Sequence, residues 1–387
     1  MGLVMAVALG GCTTTVSTVA PSPTATQSLN PTATPSPTPS PTPTPSPPAT
    51  PTITRVPTPT LPHGVFTATG SLAVAGYQAA ATLLADGSVL VVGSEPGPAE
   101  IYSPASGMFH TTGTPLEAGA SPMSVMLSTG RVLVIDGIGS EVYDPATEKF
   151  SLTGYSSFDR DGGAIALLKS GQALVAGGQG LGAAGVLKSA QLYDPASGKF
   201  IPTGSMKIGR ECFTATVLQS GKVLVAGGDD GSGCSAYENV FASAEIYDPQ
   251  TRKFTLTGSM TTPRANATAT LLGNGKVLIA GGDSESSPLA SSELYDPSTG
   301  RFTLTGSMEI ARDYFTATFL ADGRVLVAGG PDGSAELYDP ATGTFSRTGD
   351  MTTPTYDDTA IRLKDDRVLI IGGEGAGGGK SAELYWP

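Results

Sequence analysis

The stretch Val223-Leu224-Val225-Ala226-Gly227-Gly228, followed by Glu245-Ile246-Tyr247-Asp248-Pro249, constrains the chain more than any other feature, because both halves recur seven times. The apolar run returns at 89–93, 132–137, 173–178, 277–282, 325–330 and 368–373. The second half returns around Tyr102, Tyr143, Tyr193, Tyr295, Tyr338 and Tyr385, so successive Tyr residues lie 41 to 54 positions apart. A period of this length indicates repeated supersecondary units, each of which buries its apolar faces only against its neighbours.

One unit shows how each repeat is read. Thr214–Leu218 reads as a strand, Ser220-Gly221 as a two-residue hairpin turn and Val223–Ala226 as a second strand ending at Gly227-Gly228. Ala244–Tyr247 is a third strand, Asp248-Pro249 opens a turn, and the segment 253–258 is a fourth. Short strands at even spacing between Gly, Pro and Asx punctuation indicate an all-β chain, and no segment carries sustained 3.6-residue apolar periodicity. The first turn of each unit reads Asp86-Gly87, Thr129-Gly130, Ser170-Gly171, Ser220-Gly221, Asn274-Gly275, Asp322-Gly323 and Asp365-Asp366. Gly in the second place suits the positive φ of primed hairpin turns. Asp366 must adopt that conformation with a side chain.

Four antiparallel strands in 40–50 residues do not make a stable domain, but a radial array buries both faces of every sheet. The last unit ends at Trp386-Pro387 after its third strand, and Phe66-Thr67-Ala68-Thr69-Gly70 aligns with the fourth-strand segment Phe254-Thr255-Leu256-Thr257-Gly258. The sequence therefore predicts a seven-bladed β-propeller of four-stranded antiparallel blades, closed by an N-terminal strand that completes the last blade and leaves no open ring edge.

The di-glycine after an apolar strand, the Tyr about twenty residues later and the aromatic of the fourth strand resemble Kelch repeats, most of all those of the central propeller of galactose oxidase. The resemblance spans 64–387. It implies the fold with high specificity and the function with little, since propellers host many roles. Copper oxidases of that kind hold their metal with His and Tyr and cross-link a Cys to one Tyr. This chain has only His63 and His110, one at the edge of the linker and one in a fourth strand. That donor set does not suit copper, and no metal or cofactor is expected. The repeated Ser-x-Asp-x-Gly-x-Thr-Trp box of sialidases is absent, with Trp386 the one Trp. A Kelch-type sugar mutarotase stays open, because that chemistry needs only one acid and one base.

The first 62 residues are of another kind. Leu3–Gly11 is a short apolar run ending in Leu9-Gly10-Gly11-Cys12. It is too short to span a bilayer and fits a signal-peptide core. Small residues before a Cys resemble the lipobox of bacterial lipoproteins, which implies lipidation at Cys12 and residence on the extracellular face of a membrane. Residues 13–63 are dominated by Pro, Thr and Ser and are expected to be a disordered, semi-rigid spacer. The net charge of −12 and a pI near 4.6 oppose general affinity for nucleic acid or anionic lipid.

Two residue sets are candidates for recognition. Arg160, Arg210, Arg264 and Arg312 hold one register position before the first strand of blades three to six, where the others carry Gly76, Gly119 and Thr355. They form either a rim patch for a carboxylate, sugar or acidic peptide, or internal partners for the Glu of each third strand, which needs one between packed sheets. Seven acid or amide positions against four Arg leave some Glu to backbone N–H groups. The second set is the long loops after the di-glycines of blades three to five, with Asp229, Asp230, Tyr237, Glu238, Asp283 and Glu285. Long loops on a rigid scaffold commonly carry recognition. Asp229-Asp230-Gly231-Ser232-Gly233 is dense in oxygen but lacks the ligand spacing of a calcium loop. Cys212 and Cys234 are placed to form a disulfide that pins the blade-four loop. The expected function is binding of a glycan or an extracellular protein by a monomeric module; the alternatives are a mutarotase-like enzyme and a display module without ligand.

Overall fold

A computed structural model describes residues 63–387 apart from 117–120, 138, 157–158, 181–184, 232–238, 285–286 and 376. Seven four-stranded antiparallel sheets are present, and no helix occurs among the described residues. Blade four is representative: Thr214–Val217, Val223–Ala226, Ala244–Asp248 and Lys253–Leu256 pair in chain order. The first strands of successive blades pack side by side in a closed ring, so they line the axis and the fourth strands form the outside.

Ring closure follows the expected route. Val65–Ala68 pairs with Ala382–Trp386, with Phe66 opposite Tyr385 and Thr67 opposite Leu384. The last blade is therefore built from both ends of the folded region.

The second strands read Val-Leu-Val-Ala or close variants, and in all seven blades the four apolar residues that open this strand are buried. A continuous apolar run is required because such a strand has a neighbouring blade against each face. The apolar clusters accordingly lie between blades. Leu174, Ala176 and Met206 of one side meet Val223, Val225 and Phe254 of the next. Leu320, Leu326 and Ala328 meet Val368, Ile370 and Phe66.

The repeated Tyr joins blades. Each Tyr ring stands against the Phe opposite it on the fourth strand, with centroids 4.7 Å apart for Tyr247–Phe254 and 5.1 Å for Tyr193–Phe200. Its hydroxyl shares a hydrogen bond with a Thr ending the preceding blade: Thr203–Tyr247 at 2.7 Å, Thr257–Tyr295 at 2.9 Å and, across the closure, Thr69–Tyr102 at 2.9 Å.

The first turn of each blade departs from the primed type. Gly87 N–H donates to Leu84 C=O at 3.0 Å, and Leu84 N–H donates to Ser88 C=O at 2.8 Å. Positive φ falls on Gly87 (99°) and not on Asp86. This is a three-residue loop, a type I turn followed by a left-handed residue. The Gly signal is the same in both turns, which is why the sequence alone did not separate them. Asp366 takes the left-handed place at φ 72°, as expected.

Candidate functional site

The four Arg residues do not form a rim patch. Arg160, Arg210, Arg264 and Arg312 are between 0% and 2% exposed. Arg210 Nη1 donates to Gly227 C=O at 2.7 Å and Ser243 C=O at 2.9 Å, and Nη2 donates to Ser243 Oγ at 2.8 Å. Arg264 and Arg312 repeat these bonds with Gly281 and Ser291, and with Gly329 and Ser334. Each also faces the third-strand Glu of its own blade: Arg210–Glu245 at 3.6 Å, Arg264–Glu293 at 3.4 Å and Arg312–Glu336 at 3.3 Å. The physical reason is local. A buried Glu and the bare carbonyls left by the di-glycine turn both need a donor, and a forked guanidinium serves both.

The Glu residues also tie down the segment that leads into their blade. Glu245 accepts from Lys207 and Ile208 N–H, and Glu293 from Thr261 and Thr262 N–H. Where no Arg exists the backbone bonds serve, as at Glu100 with Ala73 and Val74 and at Glu383 with Thr352 and Thr353. Blade three has Gln191 at this position, so Arg160 has no carboxylate partner there. Its Nε donates to Ser156 Oγ at 3.4 Å, and Ser156 Oγ donates to Gln191 Oε1. Burial without a counter-charge pulls the Arg160 pKa down to about 10.

The di-glycines let the next blade approach. Gly228 N–H donates to Arg264 C=O at 2.8 Å, and Gly178 N–H to Arg210 C=O at 2.8 Å. A Cβ on Gly228 would lie 2.4 Å from Glu211 O, and φ there is +84°. The residues just after each Arg position stand where the first strands begin, at one end of the ring axis, the mouth of the channel.

The backbone at that mouth is unusual. Gln78, Cys212, Asn266, Tyr314 and Asp357 have φ between 48° and 54°, all two residues after the Arg register position; Gly162 holds the same place in blade three. Left-handed non-Gly residues are uncommon, and their clustering indicates a function or a constraint. Hydrogen bonds link them in a belt. Cys212 N–H donates to Gly162 C=O, Asn266 N–H to Cys212 C=O and Asp357 N–H to Tyr314 C=O, at 2.9 to 3.1 Å. Asn266 Nδ2 reaches Tyr314 Oη at 3.2 Å, Gln78 Nε2 reaches Asp357 Oδ2 at 3.5 Å, and Ser121 Oγ donates to Gln78 Oε1 at 3.2 Å.

Carboxylates accompany the belt. Glu211 and Asp229 pair across a short two-strand extension by reciprocal backbone bonds of 3.2 and 3.1 Å. Both are buried, and their carboxyls are hydrogen-bonded to each other. Burial first, then the charges of Asp229, Asp161 and Asp230, pushes Glu211 up to about 8. Burial also raises Asp229, against the bond from Gly231 N–H. Asp283 takes the Asn266 amide on Oδ2 at 2.8 Å while its buried Oδ1 has no partner among the described residues, and burial lifts it to about 7. Asp357 is lifted to about 7 by burial, with Glu374 and Asp313 adding to the effect.

Of the loop residues expected to matter, Asp229 and Asp283 therefore stand at the mouth, and Asp230 is exposed beside them. Tyr237, Glu238 and Glu285 lie outside the described residues, as do Cys12 and Cys234. Cys212 is disulfide-bonded, with its partner outside the described residues. Glu211, Asn266, Asp313, Tyr314 and Asp357 were not singled out from the sequence. The signal was present one and two positions after the Arg register, but it is visible only once the blades are stacked.

Glu211, Cys212 and Asp229 could bring three ligand atoms within 4.8 Å of one another, but a disulfide sulfur is not a thiolate donor. His63 Nδ1 lies 2.6 Å from Pro387 O, and His110 sits on an outer strand. The mouth thus lacks the imidazole set that copper would require.

The comparisons agree with this architecture. The Kelch motif model matches residues 212–261, within blade four and the segment that follows it. A search of curated proteins returns no match. Among solved structures the chain is similar to a "novel fungal alcohol oxidase with catalytic diversity among the AA5 family, in complex with copper", at TM-score 0.65 and 18% identity, covering 83% of this chain and 75% of that one. At that identity the likeness concerns the fold. The repeats and the ring closure make this chain a seven-bladed β-propeller, with a Kelch motif in blade four.

Proposed function

We propose that the chain is a carbohydrate-binding module that takes a polyhydroxylated ligand at the channel mouth on the di-glycine side. The observation that carries this reading is the belt of left-handed residues Gln78, Asn266, Tyr314 and Asp357, whose amide, phenol and carboxyl groups are fixed in place by their neighbours. Preorganised donors and acceptors beside an aromatic suit a sugar, which is rich in hydroxyl groups and has apolar ring faces. The test is a glycan array with the 63–387 domain, repeated with Asn266→Ala. Reproducible binding that the substitution abolishes supports the reading. A blank array, or a hit unmoved by the substitution, sinks it and turns attention to a protein partner or a display role.

The same reading places the module outside the cell, held by lipid on Cys12 and lifted by the Pro/Thr/Ser segment. Metabolic labelling with a palmitate analogue, lost in Cys12→Ala, checks the anchor.

A second reading is favoured by one pair of groups. Glu211 and Asp229 share a hydrogen bond, and the raised Glu211 can serve as an acid near neutral pH beside its partner as base. Opening a cyclic sugar hemiacetal needs a proton delivered to the ring oxygen and one removed from the anomeric hydroxyl. Anomer exchange followed by NMR, faster with protein than without and lost in Glu211→Gln, supports this reading.

A further inference from the structure

The charges at the mouth are of one sign. Asp161, Glu211, Asp229, Asp283, Asp313 and Asp357 follow one another from blade three to blade seven. Each charged group acting on Glu211, Asp229, Asp283 or Asp357 is another carboxylate. The Arg residues next in sequence to Asp161, Glu211 and Asp313 do not offset them, because their guanidiniums face the Gly and Ser carbonyls of their own blades. Three of these acids carry a buried oxygen without a hydrogen-bond partner among the described residues: Asp161 Oδ1, Asp283 Oδ1 and Asp357 Oδ1. Asp283 decides the matter, since it is 1% exposed. Its Oδ2 is occupied by Asn266 Nδ2, an amide that also reaches the Tyr314 hydroxyl on the mouth belt. Among the described residues, the other oxygen of the same carboxyl has no hydrogen-bond partner. A buried acceptor left unsatisfied beside like charges costs folding free energy, and a cationic donor relieves both penalties together.

We infer that the mouth selects ligands bearing a protonated amine, the ammonium being held by Asp283 with Asp313 and the Glu211–Asp229 pair around it. The inference rests on the carbohydrate reading above and narrows its ligand class to amino sugars with free amines. Charge-assisted hydrogen bonds are roughly twice as strong as neutral ones, so the free amine and its acetylated form should be well separated.

The experiment is calorimetry on the full 63–387 domain at low salt with four probes: a β-1,4-linked glucosamine tetrasaccharide, its fully N-acetylated counterpart, spermidine and calcium chloride. The expected result is binding of the free-amine tetrasaccharide about tenfold or more tighter than the acetylated one, a difference of ~1.4 kcal/mol. That preference should shrink with added salt and disappear in Asp283→Asn. Asp283→Asn keeps the shape of the protonated acid; should it still fail to fold, Asp313→Asn at the less buried neighbour must reduce the same preference. Equal binding of the two tetrasaccharides overturns the amine inference and leaves the carbohydrate reading standing. Spermidine binding without either sugar does the reverse. Calcium binding at this site with no amine binding, or no binding by any probe, overturns the inference.

Discussion

Arg210 and Glu245 meet inside blade four with Nη2 3.6 Å from Oε1, and neither side chain is exposed. Neither is set for a ligand: the Arg holds the di-glycine carbonyl and Ser243, and the Glu holds Lys207 and Ile208 N–H. Removing one member of a buried pair leaves the other uncompensated, at a cost of about 3–5 kcal/mol. Arg210→Ala should therefore lower the melting temperature sharply. Any binding that survives below the new transition should be unchanged in affinity, which titration at reduced temperature will check.

Blade three offers the complementary test. Gln191 stands where the other blades carry Glu, and Arg160 lies buried without a carboxylate partner among the described residues. Gln191→Glu should stabilise the protein by ~1 kcal/mol or more, in the range of hydrogen bonds to charged groups. Denaturant unfolding measures this, and a loss of stability would mean that desolvation of the new charge outweighs the pairing.

Asp358 gives a pH dependence with a defined sign. It is buried in blade seven, with Thr355 Oγ1 donating to Oδ2 at 3.0 Å and Oδ1 without a partner among the described residues. Burial pushes it up to about 8 from an ordinary value of 3.8. The folded protein thus holds a proton that the unfolded chain releases. The associated stability is complete below about pH 4 and is lost as pH rises through about 8; Glu211, Asp283 and Asp357 act in the same direction over a similar window. Each unit of displacement corresponds to about 1.4 kcal/mol. Asp358→Asn, which keeps the neutral shape, should flatten the decline and raise the melting temperature at pH 9, as scanning calorimetry across pH 5–9 will show.

The closure of the ring depends on a few residues. Phe66 is buried against Tyr385, with ring centroids 4.9 Å apart, and joins the cluster between blades six and seven. Phe66→Ala should cost ~3–5 kcal/mol. Limited proteolysis should then release the first strand before any internal blade is cut.

The sequence by itself determined the number of blades, the four strands of each blade and the strand exchange that closes the ring, but not the two short hairpins at Gln179–Val186 and Asp283–Pro288. These follow from local patterning: a buried strand must be continuously apolar, a tight turn needs a left-handed residue, and the missing fourth strand after Tyr385 has its counterpart at Phe66. The sequence also held both roles of the Arg set without deciding between them. Tertiary structure decided that Arg160, Arg210, Arg264 and Arg312 turn inward. Their nearest unsatisfied acceptors, the Gly and Ser carbonyls and the third-strand Glu, lie 17 to 35 positions later in the chain and come within reach only when the blade folds. It also assembled the mouth. Gln78, Glu211, Asn266, Asp283, Tyr314 and Asp357 belong to five blades, and each alone reads as an ordinary loop residue. Only packing around a common axis concentrates their polar groups and charges at one end of the channel.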